Sequence, residues 1–77
     1  MDKNVEQILA EVLQIPIAEV TDELSMKDLD AWDSLKHMEL IASLEGQLGI
    51  QLTFEEIIAM RSVADIRHTL NHRGVTN

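Results

Sequence analysis

The chain has 77 residues, with six Lys plus Arg against fourteen Asp plus Glu, a formal net charge of −8 and no cysteine. That balance argues against nucleic acid and against an anionic membrane surface, both of which are held by a surplus of Lys and Arg, and it favours partners with basic patches. Without cysteine there is no disulfide framework and no protein thiolate to act as nucleophile or ligand.

The length allows one domain, 1–77, with a core so small that every apolar stripe must be used. Three Gly, one Pro and no Tyr suit helices better than a turn-rich β domain. No apolar run reaches spanning length, and Met1-Asp2-Lys3-Asn4 lacks the basic start and apolar block of a secretory signal. The expectation is a cytoplasmic, monomeric, helical protein.

From about Asn4 to Gln14, Val5, Ile8, Leu9, Val12 and Leu13 follow the i, i+3, i+4, i+7, i+8 rule of one helical face. Pro16 stops that helix. Ile17 to Trp32 has no sustained period. It is expected to be a long loop with a turn or two of helix, strapped over the core by Ile17, Val20, Leu24, Met26 and Leu29. The second helix is expected to open at Asp33-Ser34, with Asp33 as N-cap, and to close at Leu48-Gly49. Leu35, Met38, Leu40, Ile41, Ala42, Leu44 and Leu48 cover more than half its circumference, so it should be central and contacted on several sides, with His37 and Glu45 at the edges of the apolar arc.

Thr53 and Glu56 have capping-box spacing and open a short third helix with Phe54, Ile57, Ile58 and Met60. Ser62 and Asp65 repeat the start signal for a last helix facing inward through Val63, Ile66 and Leu70. Arg67, His68, His72 and Arg73 suit the negative end of its dipole. The fold class is therefore all-α: a four-helix bundle with a long loop between helices 1 and 2 and a short third helix. Its ordered core runs from about 4 to 72, and 73–77 should fray. His68 and His72, spaced i, i+4, have no third ligand, so no metal site is expected. Asp28 to Glu39 fails as a calcium loop because Asp33 replaces the required glycine. His37 lies three residues after Ser34, but no orienting acid or oxyanion hole accompanies the pair.

The most informative stretch is Asp28-Leu29-Asp30-Ala31-Trp32-Asp33-Ser34-Leu35. It sets a serine in the first turn of the most apolar helix, where unpaired N–H groups favour a phosphate on the hydroxyl. A bare Asp-Ser pair is more often a plain helix cap. The segment resembles the modification site of acyl carrier proteins, whose signature is Asp-Ser-Leu, here Asp33-Ser34-Leu35. The resemblance runs from Val5 to Leu70 through Ile17-Ala18-Glu19-Val20-Thr21, Met38-Glu39-Leu40-Ile41, Leu44-Glu45, Gly49-Ile50-Gln51-Leu52 and Ser62-Val63-Ala64-Asp65-Ile66.

The resemblance implies a 4′-phosphopantetheine arm on Ser34, with Asp33 and Leu35 completing the motif. A separate phosphopantetheinyl transferase would supply the arm from coenzyme A, and acyl groups would ride on it as thioesters. It implies no catalysis by the chain itself, which would be a substrate shuttle. Acyl-loading and acyl-processing enzymes with basic patches would dock on Trp32, Lys36, Met38, Glu39, Glu45 and Met60. Trp32, the sole tryptophan, is expected to be partly exposed beside the arm. The chain departs from the housekeeping pattern at Trp32 and Asp30, where small residues or glycine are common. It departs also at Lys36, usually acidic, and at Gly46-Gln47, which dilute the acidic face. These changes point to a dedicated carrier of a secondary-metabolite or polysaccharide-modifying pathway. The alternatives are a peptidyl or aminoacyl carrier and, in another class, an acidic helical adaptor with Ser34 as a mere cap.

Overall fold

The structure, a computed structural model, describes residues 4–75. Four helices follow in chain order: α1 (Val5–Leu13), α2 (Ser34–Leu48), α3 (Phe54–Ala59) and α4 (Val63–His72). The α1–α2 loop contains two 3-10 turns, Ile17–Glu19 and Met26–Asp28. Among the described residues there is no strand, only an isolated antiparallel bridge between Ser25 and Ser62. The all-α bundle with a short third helix is what the sequence periods require.

Local chemistry sets each boundary. Asn4 caps α1 reciprocally: its Oδ1 accepts from the Gln7 amide at 2.8 Å, and the Gln7 side chain accepts from the Asn4 amide at 2.9 Å. The helix ends on Gln14 in the left-handed region, φ 58°, so the stop precedes Pro16. α2 closes on Gly49 at φ 66°, where glycine carries no Cβ penalty. α3 has the expected capping box between Thr53 and Glu56, and Ser62 caps α4.

The core is a single cluster. Val5, Ile8, Leu9 and Leu13 of α1 meet Leu40, Ile41 and Leu44 of α2 and Val63, Ile66 and Leu70 of α4, with Val20, Trp32, Leu52 and Met60 filling between them. The loop is strapped down by its own backbone. The Met26 amide donates to the Arg61 carbonyl at 2.9 Å, and Leu24 and Asp22 carbonyls accept from Val63 and Ala64 at 2.9 and 3.3 Å. Of its expected anchors, Val20 is buried and Leu24, Met26 and Leu29 are half-buried against the core, but Ile17 is exposed. Arg67 adds ionic contacts to Glu6 of α1 and Asp22 of the loop, although its Nε–H is not aimed well enough to hydrogen-bond.

Three expectations need correction. Trp32 is 1 % exposed and belongs to the core, not to a surface turn. Met60 is fully buried and cannot touch a partner. α2 is not contacted on several sides: Leu40, Ile41 and Leu44 face the core, while Leu35, Met38 and Ala42 are exposed. Three neighbouring helices bury only one stripe of α2, and the rest of its apolar arc stays at the surface. The C-terminal segment also differs from a loose tail as far as residue 75. Arg73 forks onto Glu56, and the Gly74 and Val75 amides bond Asn71 and Leu70 carbonyls at 3.0 and 2.9 Å. Residues 76 and 77 lie outside the described residues.

Candidate functional site

The loop delivers its last residues to the start of α2 through a turn in which the Trp32 amide donates to the Leu29 carbonyl at 2.9 Å. Asp33 then takes the whole capping duty. Its Oδ1 accepts from the Lys36 amide at 2.9 Å and its carbonyl from the His37 amide at 2.8 Å. Ser34 is consequently the first helical residue, not the cap. Its hydroxyl is exposed and makes no hydrogen bond among the described residues. The Ser34 and Leu35 amides, at the head of the helix, have no intrahelical partner. A free hydroxyl beside free amides is suited to carrying a phosphoryl group.

Beneath this turn lies a buried polar chain. The Trp32 indole Nε1–H donates to His37 Nδ1 at 3.1 Å, and His37 Nε2 lies 2.9 Å from the Ile57 carbonyl of α3. An indole nitrogen only donates and a carbonyl only accepts, so the ring proton of His37 sits on Nε2. Three elements are thereby tied together: the loop end, the first turns of α2, and α3. Counting from the Asp33 cap, Trp32 is the N′ residue and His37 the N4 residue. This is the spacing of a hydrophobic staple, here closed by a hydrogen bond. That spacing was the available signal for the burial of both.

The exposed side chains around Ser34 are apolar: Leu35 at 73 %, Met38 at 53 %, Phe54 at 75 % and Ile58 at 48 %. A cleft of about 300 Å³ opens between α2 and α3. α2 contributes Ser34, His37 and Met38, and α3 contributes Phe54, Ile57 and Ile58. Met26 and Arg61 complete the lining. Phe54, Ile58 and Arg61 were not foreseen as site residues. Phe54 and Ile58 belong to a helix of six residues, too short to bury its whole apolar stripe, and the sequence gives no sign of which way that stripe turns; Arg61 follows in the link to α4.

The acidic candidates divide. Glu39 is exposed, with Lys36 Nζ 3.1 Å from its Oε2. Glu45 is half-buried, and its Oε2 accepts the Leu52 amide at 2.9 Å, so it locks the α2–α3 link instead of presenting its carboxylate outward. His68 and His72 stack on the surface of α4, and no group of three or more potential metal ligands occurs among the described residues.

A small helical bundle that presents an uncommitted serine at the head of its second helix has the build of a prosthetic-group carrier. The family described as phosphopantetheine attachment site matches residues 3–70. Similar curated proteins include an acyl carrier protein of Saccharopolyspora erythraea, 30 % identical over 64 residues, covering 83 % of this chain and 67 % of that one. Polyketide-8 synthase acyl carrier protein 2 of Streptomyces avermitilis is 37 % identical over 65 residues, covering 82 % and 74 %. An acyl carrier protein of Thermosynechococcus vestitus is 33 % identical over 72 residues, covering 92 % and 88 %.

The chain belongs to the acyl carrier protein family. Members carry phosphopantetheine, hold substrates without converting them, and meet phosphopantetheinyl transferases and biosynthetic enzymes. The free hydroxyl and unpaired amides at the head of α2 fit such a group. No helix among the described residues is long and apolar enough to cross a membrane.

Proposed function

We propose that Ser34 is the attachment residue and that the chain serves a specialised biosynthetic pathway, not housekeeping fatty-acid synthesis. The observation that carries the first part is the division of labour at the helix start. Asp33 holds the cap, so the Ser34 hydroxyl is exposed and has no structural duty. In the transfer, Ser34 Oγ attacks the β-phosphorus of coenzyme A. An O–P bond forms, the pyrophosphate P–O bond breaks, and adenosine 3′,5′-bisphosphate leaves, with the hydroxyl proton passing to a base of the transferase. The amides of Ser34 and Leu35 then face the new phosphodiester. The bound arm supplies a terminal thiol on which acyl groups ride as thioesters.

The pathway reading rests on Trp32, His37 and Lys36 around the serine, on the exposed Phe54, and on the likeness to a polyketide synthase carrier. Leu35, Lys36, Met38 and Glu39 form the docking surface for the transferase and for loading enzymes. Trp32 and Met60, both buried, and Glu45, which is committed to Leu52, are not part of it.

Incubation with coenzyme A and a promiscuous phosphopantetheinyl transferase tests the assignment. One arm should appear, on the peptide containing Ser34. Ser34→Ala should abolish the gain and change stability by less than about 1 kcal/mol, because Asp33 still caps the helix. An arm on any other residue, or no arm at all, would overturn the assignment. The pathway part predicts slower malonyl loading by a fatty-acid-synthase acyltransferase than that enzyme achieves on its own carrier; equal rates would remove it.

A further inference from the structure

Arg61 is the only Lys, Arg, Asp or Glu lining the cleft beside Ser34. It lies in the link between α3 and α4, and its backbone is fixed on both sides. Its amide donates to the Ala59 carbonyl at 3.0 Å, and its carbonyl accepts from Met26 at 2.9 Å. Its side chain makes no hydrogen bond or ion pair among the described residues. The other arginines are engaged: Arg67 with Glu6 and Asp22, Arg73 with Glu56. Asp65 lines the adjoining cleft, which Arg61 and Lys27 also line, yet it forms no ion pair with either. In a chain of net charge −8, an unpaired arginine lining an otherwise largely apolar cleft retains its full capacity for an anion.

We propose that this cleft receives a short acyl cargo bearing a carboxylate, and that Arg61 is the group that recognises it. The inference deepens the carrier reading and rests on Ser34 holding the arm. The chain of the cargo lies against Met38, Phe54 and Ile58, and its carboxylate meets the guanidinium, whose planar fork matches a carboxylate with two parallel hydrogen bonds. A cleft of about 300 Å³ is at the small end of small-molecule sites, which suits a cargo of a few carbons. The wall is held in place beforehand, because His37 ties the Ile57 carbonyl of α3 to the turn that carries Ser34. Preformed walls lower the ordering cost of binding.

The full-length chain, loaded in parallel from coenzyme A, butyryl-coenzyme A and succinyl-coenzyme A by a phosphopantetheinyl transferase, provides the test. The readout is the ¹⁵N NMR signal of the Arg61 Nε–H, together with the Phe54 and Ile58 signals. Butyryl loading should shift Phe54 and Ile58 but leave Arg61 unmoved; succinyl loading should shift all three. In Arg61→Met, the succinyl form should lose occupancy of the cleft a few-fold, the scale of an exposed ion pair, while butyryl occupancy is unchanged. An Arg61 shift that appears in full with the bare arm would mean that the guanidinium reads the arm's phosphodiester, and the proposal would fall. No Arg61 shift with succinyl cargo would also overturn it. A chain that gains no mass from any of the three donors would overturn the carrier reading itself, a result distinct from both.

Discussion

Trp32 and His37 form a buried pair whose energetics follow from their partners. The indole is closed off from solvent and its N–H is satisfied only by His37. Trp32→Ala should therefore cost roughly 3–5 kcal/mol, the range for a buried aromatic truncated to alanine. Trp32→Phe retains a ring but strands His37 Nδ1 without a donor, and should cost about 1–3 kcal/mol. Urea denaturation of both variants measures these losses. Wild-type tryptophan emission should be blue-shifted and resistant to soluble quenchers. A red-shifted, freely quenched emission would contradict the buried placement. Ser34, two positions away, shows the opposite pattern: its hydroxyl holds nothing in the fold. Within one turn, the residue that holds the fold and the proposed attachment residue are cleanly separated.

At the scale of elements, α1 ends on a strained residue. Gln14 sits at φ 58°, a left-handed conformation that costs an L-residue with a Cβ about 1–2 kcal/mol. Gln14→Gly should relieve that strain against a smaller cost, about 0.5–1 kcal/mol, for the extra conformational freedom that glycine loses on folding, for a net gain of about 0.5 kcal/mol, read as a raised denaturation midpoint. α3 is held at its base by a different device. Arg73, past the end of α4, donates to both carboxylate oxygens of Glu56 while the Thr53 amide donates to one of them. The hydrogen bonds from Arg73, then that from Thr53, bring the Glu56 carboxyl from its ordinary 4.5 down to about 2. Because the folded value is depressed, the stabilisation is present above pH about 4.5 and fades as pH falls towards about 2. The stability difference between wild type and Glu56→Gln, followed by thermal denaturation from pH 5 to pH 2, should shrink across that window. A difference that stays constant would show that the clamp is not coupled to folding.

The same elements show what a sequence can carry. The caps at Asp33, Gly49, Thr53 and Ser62 were legible because each depends on residues within one turn. The inward stripes of α1 and α4 were legible because those helices have one apolar face and one core to bury it in. The apolar arc of α2 was wider than its neighbours could cover, so periodicity could not separate Leu40 and Leu44, which face the core, from Leu35 and Met38, which do not. The burial of Trp32 and His37 had only their staple spacing as a local signal, and the contact of His37 with the Ile57 carbonyl, twenty positions further on, is contained in no local pattern. The cleft likewise needs α3 set against α2, which only the folded chain provides.

At the scale of the whole molecule, the charge of −8 is unevenly committed. Glu6 and Asp22 are paired with Arg67, Glu56 with Arg73, and Glu45 is turned inward to Leu52. Glu6 is therefore a poor site for a neutral charge-reversal control, since its reversal would also break an ion pair in the fold. Glu39 is exposed on α2, one turn beyond Ser34, and its contact with Lys36 is a surface pair of small worth. Glu19, in the first 3-10 turn of the loop and also exposed, forms no ion pair among the described residues and serves as the control. Exposed charges act on encounter more than on residence, and they are screened within about 10 Å at 0.1 M salt. Glu39→Lys should accordingly slow modification by a transferase with a basic docking patch, mainly through kcat/KM, while Glu19→Lys, with the same change in net charge, should slow it less. Raising the salt concentration should slow the wild type and narrow the gap between the two variants. Rates for the two variants that fall equally at low salt would mean that only bulk charge steers the encounter, and the docking surface around Ser34 would lose its acidic member.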